Sequence, residues 1–326
     1  MDSASQRTMR PTDREKGEAV VAAHLRDLYH LRGEVETVVA GANWTMRLSA
    51  ATGQAIAYVR LCRHDRSLED IHAEMAVLNA IQATPALDAG RPIASRLGSN
   101  VSTLTLPDGS TRFATVFQPV GGNEPADRPS DYALIGVALA DLHRQPVLST
   151  LAPSRSPGLS TAIGSIEKIA LHSKATADHL ADAIASLKRE GADGALGTVG
   201  FCHGDVRPQN MRILGNQVTL FDFDDCGRGP QVIDIAAIAL WLEASMQAEP
   251  DQMWRAFLDG YGVRMTEQLA KSIRWCVLQQ QIRMTRWLIE ECEFVDELWS
   301  VVWERARIIA NNAVSGNLRV LRSPTG

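Results

Sequence analysis

The sequence predicts an α+β fold: a small, mainly antiparallel β region over residues 1–120, then a larger and chiefly helical region over residues 121–326. Three observations carry this prediction. Before residue 120, short runs alternate apolar and polar side chains at period two, separated by turn-forming residues such as Gly41-Ala42-Asn43 and Pro107-Asp108-Gly109-Ser110. After the connector Gly121-Gly122-Asn123 the apolar spacing becomes that of helices. One short strand–turn–strand unit, Phe201 to Phe223, interrupts the helical half.

The chain of 326 residues is long enough for two such regions, each with its own core. Residues up to about Thr12 read as a frayed terminus, and Glu18–Tyr29 has helical spacing. Strands are expected at Glu34–Ala40, Trp44–Ser49 and Gln54–Cys62. Ser67 opens an amphipathic helix to Ile81, with Glu69 and Asp70 placed to complement its dipole. A hairpin joins Val101–Leu106 to Thr111–Gln118. In the second region, Asp131–His143 reads as a helix, Pro153–Ser160 as a loop, Ala162–Glu190 as one long helical stretch and Gly191–Gly200 as a glycine-rich loop. Four helices close the chain, at Val232–Ser245, Met253–Tyr261, Thr266–Glu290 and Val295–Val314.

Composition narrows the function. Hydrophobic residues make up 45% and charged residues 22%, as in soluble globular proteins. The net charge of −5 argues against nucleic-acid and anionic-membrane partners, which need a basic surface. The five cysteines are odd in number and form no Cys-x-x-Cys pair, so no disulfide framework or zinc site is indicated, and a reducing cytoplasm is the simplest setting. The N-terminal residues lack the apolar core of a secretory signal. The most apolar run, Val232–Leu242, is short and contains Asp234, which reads as a buried helix rather than a membrane span.

The chemistry concentrates at His203-Gly204-Asp205-Val206-Arg207-Pro208-Gln209-Asn210, followed by a Gly215-Asn216 turn and a strand ending at Asp222. The turn folds Met211–Leu214 against Val218–Asp222 and returns Asp222 to the neighbourhood of Asn210. An amide oxygen and a carboxylate on adjacent strand ends suit Mg²⁺, which takes hard oxygen ligands and leaves the remaining positions to water and phosphate. Asp205 is placed to orient an acceptor hydroxyl and take its proton. Arg207 is the nearest cation to offset charge developing on a transferred phosphoryl group. A silent loop with capping Asp and Asn residues would use the same residue types singly; their joint spacing favours chemistry. Asp224 and Asp225 are read as facing solvent or pairing with Arg228, with a second metal as the alternative.

This segment resembles the His-Gly-Asp-x-x-x-x-Asn motif of the aminoglycoside phosphotransferase and choline kinase superfamily, whose fold is similar to that of protein kinases. Leu220-Phe221-Asp222-Phe223-Asp224-Asp225, Gly229-Pro230 and Asp234-Ile235-Ala236 are nearest in wording to the stress-response kinase and homoserine kinase type II branches. The resemblance implies a bilobal fold with ATP and Mg²⁺ as cofactors. It implies Asp205 as catalytic base, Asn210 and Asp222 as metal ligands, and Asp234 as a buried brace for the catalytic loop. Arg207 replaces the His common in aminoglycoside kinases and stands where protein kinases carry Lys. Gln209 replaces Gly.

Carried further, the resemblance makes Arg60, on the third strand, the cation for the α/β-phosphates, held by Glu74 from the next helix. An Arg can bind phosphate and carboxylate together through its planar fork. Gln118 and Val120 would bracket the adenine: the Gln118 carbonyl accepting, the Val120 N–H donating, and Pro119 having none to offer. Gly41-Ala42-Asn43 lacks a Gly-x-Gly-x-x-Gly or Walker pattern and reads equally as a phosphate loop or a plain turn. The acceptor side would come from C-terminal helices carrying Arg274, Arg283, Arg286 and Trp287, then Glu290, Glu291, Glu293, Asp296 and Glu297; most of these read as a solvated face, and Trp287 with Trp275, Trp299 and Trp303 as core. Three functions remain open on this reading: a small-molecule hydroxyl kinase, a protein Ser/Thr kinase of the stress-response kind, and a non-catalytic nucleotide-binding scaffold.

Overall fold

The computed structural model describes residues 11–153, 161–194, 196–245, 249–292 and 296–321. The expected terminus before Pro11, nearly all of the Pro153–Ser160 loop, Ala195 and Glu293 lie outside them. The chain divides into two compact units: one from the N-terminus to Ala80 with Gly90–Val120, the other of Ile81–Ala89 with the chain from Gly121 onward.

In the first unit, helix α1 (Pro11–Tyr29) begins earlier than its apolar spacing suggests. Five antiparallel strands follow: β1 (Glu34–Ala40), β2 (Trp44–Ser49), β3 (Ala55–Leu61), and the hairpin β5 (Val101–Thr105) and β6 (Thr111–Phe117). Their order is β1-β2-β3-β6-β5. Alternation decides which face is buried. Trp44, Met46 and Leu48 on β2, Ala57, Val59 and Leu61 on β3, and Ala114 and Val116 on β6 meet Val21, Leu25 and Tyr29 of α1 in one core. Helix α2 (Leu68–Ala80) starts at Ser67, whose hydroxyl accepts from the Asp70 N–H at 3.1 Å.

The second unit begins with a strand that sequence patterning does not reveal. Residues Leu87–Ala89 form β4, which pairs in parallel with β9 (Gln217–Leu220); β9 pairs in turn with β8 (Met211–Leu214). A separate ladder joins β7 (Val199–Cys202) to β10 (Gly227–Pro230). The helices are α3 (Pro129–His143), α4 (Pro146–Leu151), α5 (Thr161–Ala170), α6 (Lys174–Arg189), α7 (Val232–Ala244), α8 (Pro250–Tyr261), α9 (Glu267–Glu291) and α10 (Asp296–Ser315). The single helix expected over Ala162–Glu190 is therefore two. Ser173 breaks it by capping α6, its hydroxyl accepting from the Thr176 N–H at 3.4 Å. Helix α7 is buried over most of its length, which explains its near-continuous apolar sequence. Among the described residues, no helix is long and apolar enough to cross a membrane.

Candidate active site

The second unit holds the His-Gly-Asp loop between β7 and a single 3-10 turn, Pro208–Asn210, that leads into β8. Gly204 has φ +86°, and a Cβ there would lie 2.2 Å from the Asp225 carbonyl oxygen, so no other residue fits without moving the Asp225 backbone. Behind the loop, the Asp234 carboxylate on the first turn of α7 accepts from the His203 N–H at 2.7 Å and the Gly204 N–H at 2.8 Å. Those bonds match the bracing geometry expected of Asp234. The buried His203 ring lies on Phe223, with centroids 4.3 Å apart. Its Nε2 donates to the Phe221 carbonyl at 3.1 Å, which leaves Nδ1 as an acceptor near the Asp205 N–H at 3.3 Å. Burial lowers its pKa against the pull of Asp234 and Asp205, so this histidine is a loop-shaping group.

The loop presents Asp205. Its Oδ2 accepts from Asn210 Nδ2 at 2.8 Å, and the same amide nitrogen donates to the Asp205 carbonyl at 3.0 Å. Committing Nδ2 in this way makes Oδ1 the atom Asn210 has for a cation. Arg207 Nε lies 3.0 Å from Asp205 Oδ2, close enough for an ion pair though out of line for a hydrogen bond. Just past the end of β9, the Phe221 N–H donates to the Asn210 carbonyl at 3.0 Å, and Asp222 is the next residue. Asp222 has φ +62°, a left-handed conformation that Asp tolerates better than most residues and that turns the chain sharply there. Asp205, Arg207 and Asn210 are thus in direct contact, and Asp222 follows Phe221, whose N–H is bonded to the Asn210 carbonyl. Among the described residues no group of three or more His, Cys, Asp or Glu is placed to hold a metal. The Asn210–Asp222 set, two hard oxygen donors of which one is neutral, fits an ion that draws its other ligands from water and phosphate.

Arg283 of α9 completes this side in a way that motif spacing does not show. Its Nη2 donates to the Gly204 carbonyl at 2.7 Å and reaches Asp205 Oδ1 at 3.4 Å, while Nη1 donates to Asp225 Oδ2 at 2.9 Å. Asp225 accordingly pairs with Arg283 and not with Arg228. Asp224 is buried rather than solvated. Arg274 is used structurally, donating to the Ala313 and Val314 carbonyls and pairing with Glu190. Arg286 pairs with Glu290, which Lys168 also contacts. Trp287, read from sequence as core, is 46% exposed.

In the first unit, Arg60 and Glu74 form the expected pair, Nη2 to Oε1 at 2.7 Å. A second cation joins them: Arg66 Nη2 lies 3.1 Å from Glu74 Oε2, and all three side chains are buried. Arg66 stands just before the Ser67 cap, a position that carries no motif. Arg60 also lies over the Phe117 ring, 5.3 Å from its centroid. The Gly41-Ala42-Asn43 turn is held from outside: the Asn43 side-chain oxygen accepts from the Arg63 N–H at 2.9 Å, and Arg112 Nη2 donates to the Ala42 carbonyl at 2.8 Å. Gln118 and Val120 follow the end of β6, where the Gln118 N–H donates to the Arg91 carbonyl at 2.9 Å.

The model of the family described as "Phosphotransferase enzyme family" (APH) matches residues 42–271, and the chain belongs to that family. A protein of Deinococcus radiodurans described as uncharacterized is 25% identical over 244 residues, covering 69% of this chain and 67% of its own length. A Synechocystis protein, also described as uncharacterized, is 28% identical over 210 residues, covering 61% of this chain and 57% of its own. Among solved structures, the amicoumacin kinase hAmiN in complex with AMP-PNP, Ca²⁺ and Ami superposes with a TM-score of 0.68 at 14% identity, over 94% of this chain and 96% of that one. A microcompartment-associated aminopropanol kinase gives 0.66 at 18%, over 93% and 98%. Spectinomycin phosphotransferase in complex with ADP and spectinomycin gives 0.63 at 11%, over 92% and 98%. At these identities the likeness is one of fold.

Proposed function

We propose that the protein transfers the γ-phosphoryl group of ATP to a hydroxyl of a small molecule in a Mg²⁺-dependent reaction. The observation that carries this reading is the Asp205–Asn210–Asp222 arrangement: a proton acceptor held by the same amide whose oxygen, with Asp222, can bind the metal. Family membership supports it, and so do the printed names of the structural relatives, an amicoumacin kinase, an aminopropanol kinase and a spectinomycin phosphotransferase.

In this proposal residues 1–120 serve the nucleotide and residues 121–326 carry the catalytic loop and the acceptor pocket. Asn210 and Asp222 hold Mg²⁺, which supplies positive charge at the phosphates. Asp205 orients the acceptor hydroxyl and takes its proton as the oxygen attacks the γ-phosphorus and the bond to the β-phosphate oxygen breaks. Arg207 offsets charge on the transferring group. Arg60, fixed by Glu74, contacts the α/β-phosphates, and Gln118 and Val120 bind the base through backbone groups. The proposed setting is the cytoplasm, where the five free thiols stay reduced.

The test is ADP release screened over aminoglycosides, amino alcohols, sugars, nucleosides and generic protein substrates. The expected result is acceptor-dependent release with a small hydroxyl compound, abolished by EDTA. Labelling of protein substrates alone would transfer the reading to a protein kinase. Nucleotide binding with every acceptor inert would leave a scaffold.

A further inference from the structure

The brace behind the catalytic loop does not end at Asp234. Helices α3 and α8 approach so closely that a Cβ on Gly136 would lie 2.2 Å from the Phe257 carbonyl oxygen, and one on Gly260 2.1 Å from that of Ala133. This glycine-mediated contact brings the last residue of each helix together. Tyr261 OH and His143 Nδ1 are 2.7 Å apart, and His143 Nε2 is 3.0 Å from Asp234 Oδ2. The His143 and Asp234 side chains are almost fully buried, and Gln231 Nε2 fixes the His143 backbone by donating to its carbonyl at 3.0 Å.

The direction of these bonds follows from the groups. Asp234 already accepts from two loop N–H groups, so the His143 nitrogen facing it must donate. In the neutral ring Nδ1 is then an acceptor, and the Tyr261 O–H is the donor that satisfies it. Burial, with Asp234 nearby, raises the Tyr261 pKa, so the hydroxyl keeps its proton. Without that donor the buried Nδ1 lone pair loses its partner, and the ring loses the contact that holds Nε2–H on the carboxylate.

We propose that His143 and Tyr261 are positioning residues for phosphoryl transfer: Tyr261 anchors the His143 ring in the Nε2–H form that Asp234 requires, His143 fixes Asp234, and Asp234 holds the backbone that presents Asp205. Only the kinetic arm of the test rests on the proposed kinase reading. In the intact wild-type protein above pH 8, imidazole ¹⁵N shifts are expected to show His143 as the Nε2–H tautomer with Nδ1 hydrogen-bonded; a predominant Nδ1–H form overturns the proposal without any variant. In Tyr261→Phe and His143→Ala, amide exchange at His203 and Gly204 should quicken roughly 10- to 100-fold, the factor expected for losing a buried hydrogen bond to a charged group. The β8–β9 amides, in the same unit but outside this chain of bonds, should not change. His143→Gln, which retains a donor toward Asp234, should recover part of the loss. In the ADP-release assay Tyr261→Phe should lower kcat while leaving KM for ATP unchanged. Unchanged exchange at His203 and Gly204, or an equal rise at β8–β9, overturns the relay. Absence of turnover in the wild type would instead count against the kinase reading and leave the exchange result to decide.

Discussion

Glu74→Ala is the substitution with the clearest physical consequence in the first unit. Glu74 is fully buried and holds two guanidiniums, Arg60 at 2.7 Å and Arg66 at 3.1 Å, whose side chains are 7% and 1% exposed. The triad as a whole contributes modestly, because desolvating three charges offsets most of their attraction. Removing the carboxylate alone is a different matter, since both cations then stay buried without it. Breaking a buried pair in this way costs about 3–5 kcal/mol. A melting temperature lower by roughly 4 to 7 °C is expected for 326 residues unfolding together. Urea unfolding followed by tryptophan fluorescence reads the loss, and the buried Trp44 reports on the first unit. Glu74→Gln should fall between wild type and Ala, because it keeps the volume and one acceptor oxygen. Replacing all three residues with apolar side chains of similar size should return much of the stability. A Glu74→Ala protein within about 1 kcal/mol of wild type would refute this account of the triad.

Other expectations follow from the second unit. Asp222→Ala should weaken Mg·ATP binding far more than binding of metal-free nucleotide, measured by calorimetry with and without magnesium; equal affinities would remove Asp222 from the metal site. Burial pushes the Asp234 carboxyl up, but the His143 hydrogen bond, the charge on His143 and His203 when protonated, and the Gly204 N–H outweigh it and hold the carboxyl below its ordinary 3.8. Its stabilising contribution is therefore present above pH 3.8 and lost as pH falls through the lower folded-state value. Acid titration of Asp234→Asn should show a shallower loss of stability in that range than wild type. Four of the five thiols are buried, and burial pushes Cys276 up to about 12. A disulfide reagent should thus find only the half-buried Cys292 in the native protein and all five after unfolding.

What the sequence discloses depends on how local the structure is. β2 and β3 are legible because one face is buried, which forces strict alternation through Trp44, Met46 and Leu48. β4 is not, because Leu87–Ala89 is short and its partner, β9, lies far along the chain. The Ser173 cap is visible as a residue, yet in a polar stretch with few apolar marks it does not stand out as a break. The same logic governs the site. Asp205 and Asn210 share one short loop segment, so their spacing predicts their contact. Arg283 reaches that segment from a helix near the C-terminus, and nothing in the sequence says whether it faces the loop or solvent. The partner of Asp225 is hidden for the same reason: Arg228 is near in sequence, but the residue it pairs with, Arg283, is 58 positions away. The His143–Tyr261 contact depends on two glycines that read, in sequence, as ordinary small residues on helix faces.

The most direct measurement is transfer of labelled γ-phosphate from ATP to the best acceptor by wild type and by Asp205→Ala, with Mg·ATP affinity determined for both. The account predicts that the variant binds Mg·ATP nearly as well as wild type and that its transfer rate falls by at least about 10²-fold, the lower range for loss of a general base. Undiminished transfer by Asp205→Ala would contradict it.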